Sequence, residues 1–203
     1  WSAWKLFCLR IEPSSFASGP SKRTNPESES GMKTLVSAIQ KGGQGKTMVA
    51  CHLAFDFAER GLRVLVIDLD TQSNASLTLR QHQSGYLASQ LFVKDNEGLD
   101  HFFSKRDNGG ITLIPADTKL ADIDEMSLSA AAGALGEIRN VLGKYFDVCI
   151  IDTAPSMGRA MTAAILSADF MISPVEMEAY SLQGMGLMVK VITNLRKINS
   201  KIG

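Results

Sequence analysis

The chain has 203 residues, 45% of them hydrophobic, with 21 Lys/Arg balanced by 21 Asp/Glu. That is enough for one globular domain with a buried core, and it leaves no net field to draw in nucleic acid or an anionic membrane, although a local basic patch stays open. No run of 18 apolar residues is present, which excludes a membrane-spanning helix, and Cys8, Cys51 and Cys149 are too widely spaced for a C-x-x-C site, so they read as free thiols of a reducing cytoplasm.

The opening stretch WSAWKLFCLRI lacks the apolar core and cleavage site of a secretory signal, but Trp1, Trp4, Cys8 and Ile11 could share one face of a surface helix. Residues 12–31 are rich in Ser, Pro, Gly and charge and cannot bury enough apolar surface to offset their ordering entropy. Residues 1–31 therefore read as a disordered or appended extension, and the globular pattern begins at Met32.

From there short apolar runs alternate with helical stretches. A buried strand over 33–39 leads into a glycine loop, and 47–61 has apolar residues at helical spacing up to a C-terminal Gly61. The continuous Val/Leu/Ile of 63–70 predicts a strand covered on both faces. Residues 75–104 read as short helices and loops, 110–116 as a strand, 120–143 as mostly helix, and 146–152 as another buried strand. A helix over 156–169, a strand over 170–177 and a helix over 181–200 complete the pattern. The fold class is α/β, a doubly wound and mostly parallel sheet flanked by helices, with ligands expected beyond the strand C-termini.

Every chemical motif falls at such an end. In QKGGQGKT (40–47), Gly42, Gly43 and Gly45 let the backbone turn tightly and aim N–H groups at an anion, beside a helix N-terminus. Lys46 is placed to reach outer phosphates, and the Thr47 hydroxyl to bind Mg²⁺. The full P-loop pattern needs glycine at position 40, where this chain has Gln40, and it carries an extra cation at Lys41. Asp152, after four apolar strand residues, suits the role of holding Mg²⁺. In DLDTQSN (68–74), Asp70 is the candidate for orienting an attacking water, and Asp68 either supports Mg²⁺ or belongs to a capping and turn cluster.

Together QKGGQGKT, VLVIDLDTQSN and VCIIDTAPS resemble the ParA/MinD group of deviant Walker A ATPases over residues 32–203, and most of all the ParA branch of partition proteins, its IncC-type plasmid members in particular. The resemblance implies ATP/ADP and Mg²⁺ as cofactors, and the residues it matches are Lys41, Gly42, Gly43, Gly45, Lys46, Thr47, Asp70 and Asp152. With the rest of the loop, Gln44 and Met48, these give a nucleotide-binding set over 41–48, catalytic Lys41, Lys46 and Asp70, and metal-holding Thr47 and Asp152, to which the residue reading adds Asp68. It further implies that Lys41 reaches the nucleotide of a second subunit in an ATP-bound homodimer, that the dimer binds DNA non-specifically, and that a centromere-binding, ParB-like partner stimulates slow hydrolysis. It implies a cytoplasmic, nucleoid-associated protein without membrane attachment. The chain departs from the family pattern at Met48, where a second threonine is usual, and in DTQSN, which replaces D-P-Q-G-N with a less rigid turn. Adenine contacts and most of the basic DNA-binding surface are expected beyond residue 203, so the domain over 32–203 reads as incomplete at its C-terminus. Two rival readings are a MinD-like regulator bound to membranes and an iron-protein reductase, the latter opposed by the position of Cys149 inside a strand.

Overall fold

The computed structural model describes residues 4–10, 31–38, 43, 45–93, 95–156, 158–176, 186, 190 and 193. Its elements follow the order β1 (Trp4–Arg10), β2 (Lys33–Ser37), α1 (Lys46–Glu59), β3 (Val64–Leu69), α2 (Asn74–Thr78), α3 (Asn96–Ser104), β4 (Ile111–Ile114), α4 (Leu128–Leu142), β5 (Val148–Thr153), α5 (Arg159–Ser167) and β6 (Phe170–Glu176). Short 3₁₀ segments lie between α2 and α3 and at Thr118–Glu125.

The sheet has six strands in the order β1-β6-β2-β5-β3-β4. The strands from β6 to β4 run parallel, and β1 is antiparallel to β6. All residues of β3, β4 and β5 are buried, as expected of strands with helices on both faces. Their side chains divide by parity. Leu65, Ile67, Cys149 and Ile151 pack toward Ile138, Leu142, Met161 and Ile165 of α4 and α5. Val64, Val66 and Ile150 pack toward Ala50, Cys51 and Ala54 of α1 and Ala75 of α2.

That parity positions the site. Asp68 and Asp152 are even-numbered and so share the α1 face with Val66 and Ile150. The register places Asp68 beside Asp152, and Asp152 beside Ser37, across three neighbouring strands. One polar row thus crosses the carboxyl end of the sheet where α1 begins.

Three readings of the sequence are corrected. Trp4–Arg10 forms an antiparallel edge strand against β6 rather than a surface helix or an unstructured part of an extension. The pairings that define it lie 160 to 172 residues away, so no local pattern could have announced it. The helix expected over 120–143 is broken: a 3₁₀ segment ends at Glu125, and α4 starts afresh where the Ser127 hydroxyl accepts the Ala130 N–H at 3.2 Å. The strand expected over 33–39 ends at Ser37. The helix expected over 181–200 lies almost wholly outside the described residues. Among those described, no helix is long and apolar enough to cross a membrane.

Candidate nucleotide and metal site

The loop between β2 and α1 is anchored from below. The Ser37 hydroxyl donates to the Lys46 carbonyl at 3.2 Å, and the Thr153 hydroxyl donates to the Ser37 carbonyl at 2.9 Å. The Ala38 N–H donates to the Ile172 carbonyl at 3.1 Å. Three strands therefore hold the point at which α1 starts. Gly43 and Gly45 sit at φ 74° and 76°, a left-handed backbone that costs an L-residue about 1–2 kcal/mol. Gly45 is also the residue that caps α1, and the Val49 N–H donates to its carbonyl at 2.9 Å. The Lys41, Gly42 and Gln44 readings lie outside the described residues.

Lys46 opens α1 and is only 7% exposed. Burial lowers the pKa of its ammonium, and the charges of Asp152 and Asp70 pull it back up. A cation kept this dry beside two carboxylates is prepared for an anion. Thr47, next in the chain, is half-buried and faces Asp152; Met48 is exposed.

Asp152 is the electrostatic focus. It is fully buried, and neither carboxylate oxygen has a hydrogen-bond partner among the described residues. Burial pushes its carboxyl up to about 7; the Thr47 hydroxyl, near but outside hydrogen-bonding geometry, and Lys46 favour the ionised form, whereas Asp68 and Asp70 oppose it. A buried polar atom without a partner is rare and marks strain or a missing ligand. The residues present fit a Mg²⁺ ion: a hydroxyl and one unpaired carboxylate suit a small hard cation that shares its shell with water and phosphate oxygens. Among the described residues no three His, Cys, Asp or Glu side chains are arranged to hold a metal ion by themselves.

Asp68 differs sharply from its neighbour across the sheet. It is equally buried, yet its Oδ1 accepts the Asp70 N–H at 3.0 Å, while its Oδ2 accepts the Ser76 N–H at 2.8 Å and the Ser76 hydroxyl at 2.7 Å. Burial raises its pKa, and these three donors counter that. Its oxygens are occupied within the chain, which favours the turn-forming alternative over a metal role. Asp70, 7% exposed, accepts the Gln72 N–H on Oδ1 at 2.9 Å, and its carbonyl accepts the Ser73 N–H at 2.8 Å. Ser73 sits at φ 56°, the left-handed value of a glycine position, which places the strain of this turn at one of the two residues, Thr71 and Ser73, that depart from D-P-Q-G-N.

The structure thus brings Lys46, Thr47, Asp68, Asp70 and Asp152 into one cluster at the carboxyl rim. It adds Ser37, Thr153 and Ser76, which the sequence reading passed over. A hydroxyl at the end of an otherwise apolar strand was the available signal for Ser37 and Thr153; Ser76 carried none, because its partners come from two other segments. Cys51 lies beneath the cluster on α1, its thiol pushed up to about 11 by burial and by the Asp152 and Asp68 charges. Cys149 is buried in β5 facing the other side, away from the rim.

Comparison with known proteins gives the same picture. The AAA domain family matches residues 32–203. A protein IncC of Escherichia coli is 66% identical over 171 residues, covering 84% of this chain and 48% of that protein. The chain therefore spans about half the length of that relative. The structure of a Cyanothece McdA in complex with ATP superposes with a TM-score of 0.67 at 27% identity, covering 82% of this chain and 65% of that one. Cobyrinic acid a,c-diamide synthase from Mycobacterium smegmatis, with bound ATP analogue and magnesium, gives 0.66 at 26% identity, covering 84% and 71%. By motif, sheet order and these matches, the chain belongs to the ParA/MinD-type P-loop ATPases of the AAA domain family.

Proposed function

We propose that this chain is the nucleotide-binding part of a ParA-type partition ATPase that hydrolyses Mg–ATP to ADP and phosphate, slowly in isolation. The observation that carries the reading is Asp152, buried and without a hydrogen-bond partner among the described residues, beside Lys46 and Thr47 at the start of α1. In this reading the loop N–H groups and Lys46 bind the phosphates, and Thr47 and Asp152 hold Mg²⁺. When bound, the ion supplies neutralising charge to the phosphate oxygens. Asp70 orients the attacking water. Asp68 shapes the turn that carries Asp70. Lys41 acts on the nucleotide of a second copy, neutralising charge that grows in phosphoryl transfer.

The wider reading rests on the likeness to IncC. ATP binding drives a homodimer that binds DNA non-specifically, mainly through sequence beyond residue 203, and a centromere-binding, ParB-like partner stimulates hydrolysis and resets it. In this reading the protein works in the cytoplasm, on the nucleoid. The decisive experiment measures ATP turnover with Mg²⁺ and with EDTA, together with ATP-dependent retention on DNA and on anionic vesicles. Mg²⁺-dependent turnover with DNA retention is expected. Vesicle binding without DNA retention would replace partition by a membrane-associated, MinD-like role, and absence of nucleotide binding would refute the site.

A further inference from the structure

Ser76 lies in α2, is 6% exposed, and carries no part of the phosphate loop or the metal pair. Its hydroxyl makes two bonds in a fixed direction. The Ala116 N–H donates to Ser76 Oγ at 2.9 Å, and Ser76 Oγ donates to Asp68 Oδ2 at 2.7 Å. A hydroxyl has a single proton, and a main-chain N–H can only donate, so that proton is committed to Asp68. Asp68 in turn accepts the Asp70 N–H on its other oxygen. The result is a buried relay from Ala116 through Ser76 and Asp68 to the backbone of Asp70, joining the exits of β4 and β3.

Both ends of this relay are stiff. On the β4 side the Ala88 N–H donates to the Pro115 carbonyl at 2.9 Å, and the Ser89 N–H donates to the Asp117 carboxylate at 2.9 Å. On the β3 side Asp70 already receives the Gln72 and Ser73 N–H groups. The turn following Asp70 has a strained residue, Ser73, and such a conformation persists only where the surroundings over-determine it. In a buried network of this kind the bonds reinforce one another, and loss of the hydroxyl leaves Asp68 Oδ2 with the Ser76 N–H alone, at 2.8 Å, in a dry setting.

We infer that Ser76 is a positioning residue for hydrolysis: through Asp68 it holds the Asp70 backbone where the carboxylate can orient water. The inference rests on the reading of Asp70 given above. It sets Ser76 apart from a residue that only packs α2 against the sheet, because its effect runs through one backbone N–H.

The test combines Ser76→Ala, Ser76→Thr and Asp70→Ala with amide exchange. Ser76→Ala is expected to lower kcat for Mg–ATP by roughly 10–100-fold, the scale of a misplaced reacting group, with KM within about twofold. Ser76→Thr keeps the hydroxyl and is expected to restore most of the rate. In the Asp70→Ala background Ser76→Ala should cost nothing further. Exchange at the Asp70 amide should speed up in Ser76→Ala, a readout that needs no turnover. If Ser76→Ala fails to fold, Ser76→Cys, close in volume with a weak donor, carries the same measurements. Unchanged Asp70 exchange, parental kcat, or a loss that adds in full to that of Asp70→Ala overturns the role of Ser76. Parental turnover by Asp70→Ala alone overturns the reading of Asp70 instead, and the inference with it.

Discussion

Asp68 and Asp152 stand side by side in the parallel register of β5 and β3, equally buried, and only one of them is satisfied. Asp68 takes three donors from its own chain, whereas both oxygens of Asp152 have no partner among the described residues. The first spends its bonds on shape. The second holds them in reserve for a ligand.

That reserve has a pH signature. The Asp152 carboxyl is raised from 3.8 to about 7, so the folded protein binds this proton more tightly than the unfolded chain does. The group therefore favours the fold at acid pH, and this contribution is lost as pH rises through 4 to 7. Asp152→Asn removes the titration. Its melting temperature, without nucleotide, minus that of the parent should increase between pH 5 and pH 8; a constant difference would refute the raised pKa. The same variant should lose Mg²⁺-dependent turnover at every pH.

Lys46 is buried between two carboxylates, so Lys46→Ala removes both an anion receptor and the internal counter-charge of Asp152. ATP affinity should fall at least about 100-fold, taking a charge-assisted bond in a dry site as roughly 3 kcal/mol. Calorimetric or fluorescence titration with Mg–ATP checks this, and binding within threefold of the parent would remove Lys46 from the phosphate site.

Lys41→Ala should separate binding from assembly. A cation that serves a second copy leaves single-chain ATP affinity close to the parental value while removing ATP-dependent dimerisation and turnover. Light scattering with and without ATP, beside nucleotide titration, measures both. Equal loss of affinity in Lys41→Ala and Lys46→Ala would assign both lysines to the same nucleotide.

Ser73 holds a backbone angle that glycine adopts without strain. Its hydroxyl makes only a 3.4 Å bond to the Thr71 carbonyl, so little is lost with the side chain. Ser73→Gly should gain up to about 1 kcal/mol from relief of the left-handed conformation, partly offset by the greater freedom of glycine in the unfolded chain. A β-branched residue there, as in Ser73→Val, should destabilise by about 1–2 kcal/mol. Denaturant midpoints of the three proteins test the order Gly, Ser, Val.

Much of this molecule is legible without coordinates, for reasons that are local. Val64–Leu69 and Val148–Thr153 are continuous apolar strands because helices cover both faces, and the glycines before Lys46 mark a backbone that must turn left-handed. The order of these segments is enough to specify an α/β sheet with its chemistry at one rim. Sequence put Asp152 forward as the metal partner but left Asp68 open between a metal role and a turn role, since each is an aspartate at the end of an apolar strand. Tertiary structure separated them: Ser76 and Asp70 fold back onto one, and nothing described reaches the other. Only folding brings Ala116, 40 residues from Ser76, onto its hydroxyl, and only the free edge of β6 gives Trp4–Arg10 a partner. The division follows from range. Residue type and spacing encode what a segment can form, whereas which buried polar group is left unpaired depends on neighbours that the chain supplies from far away.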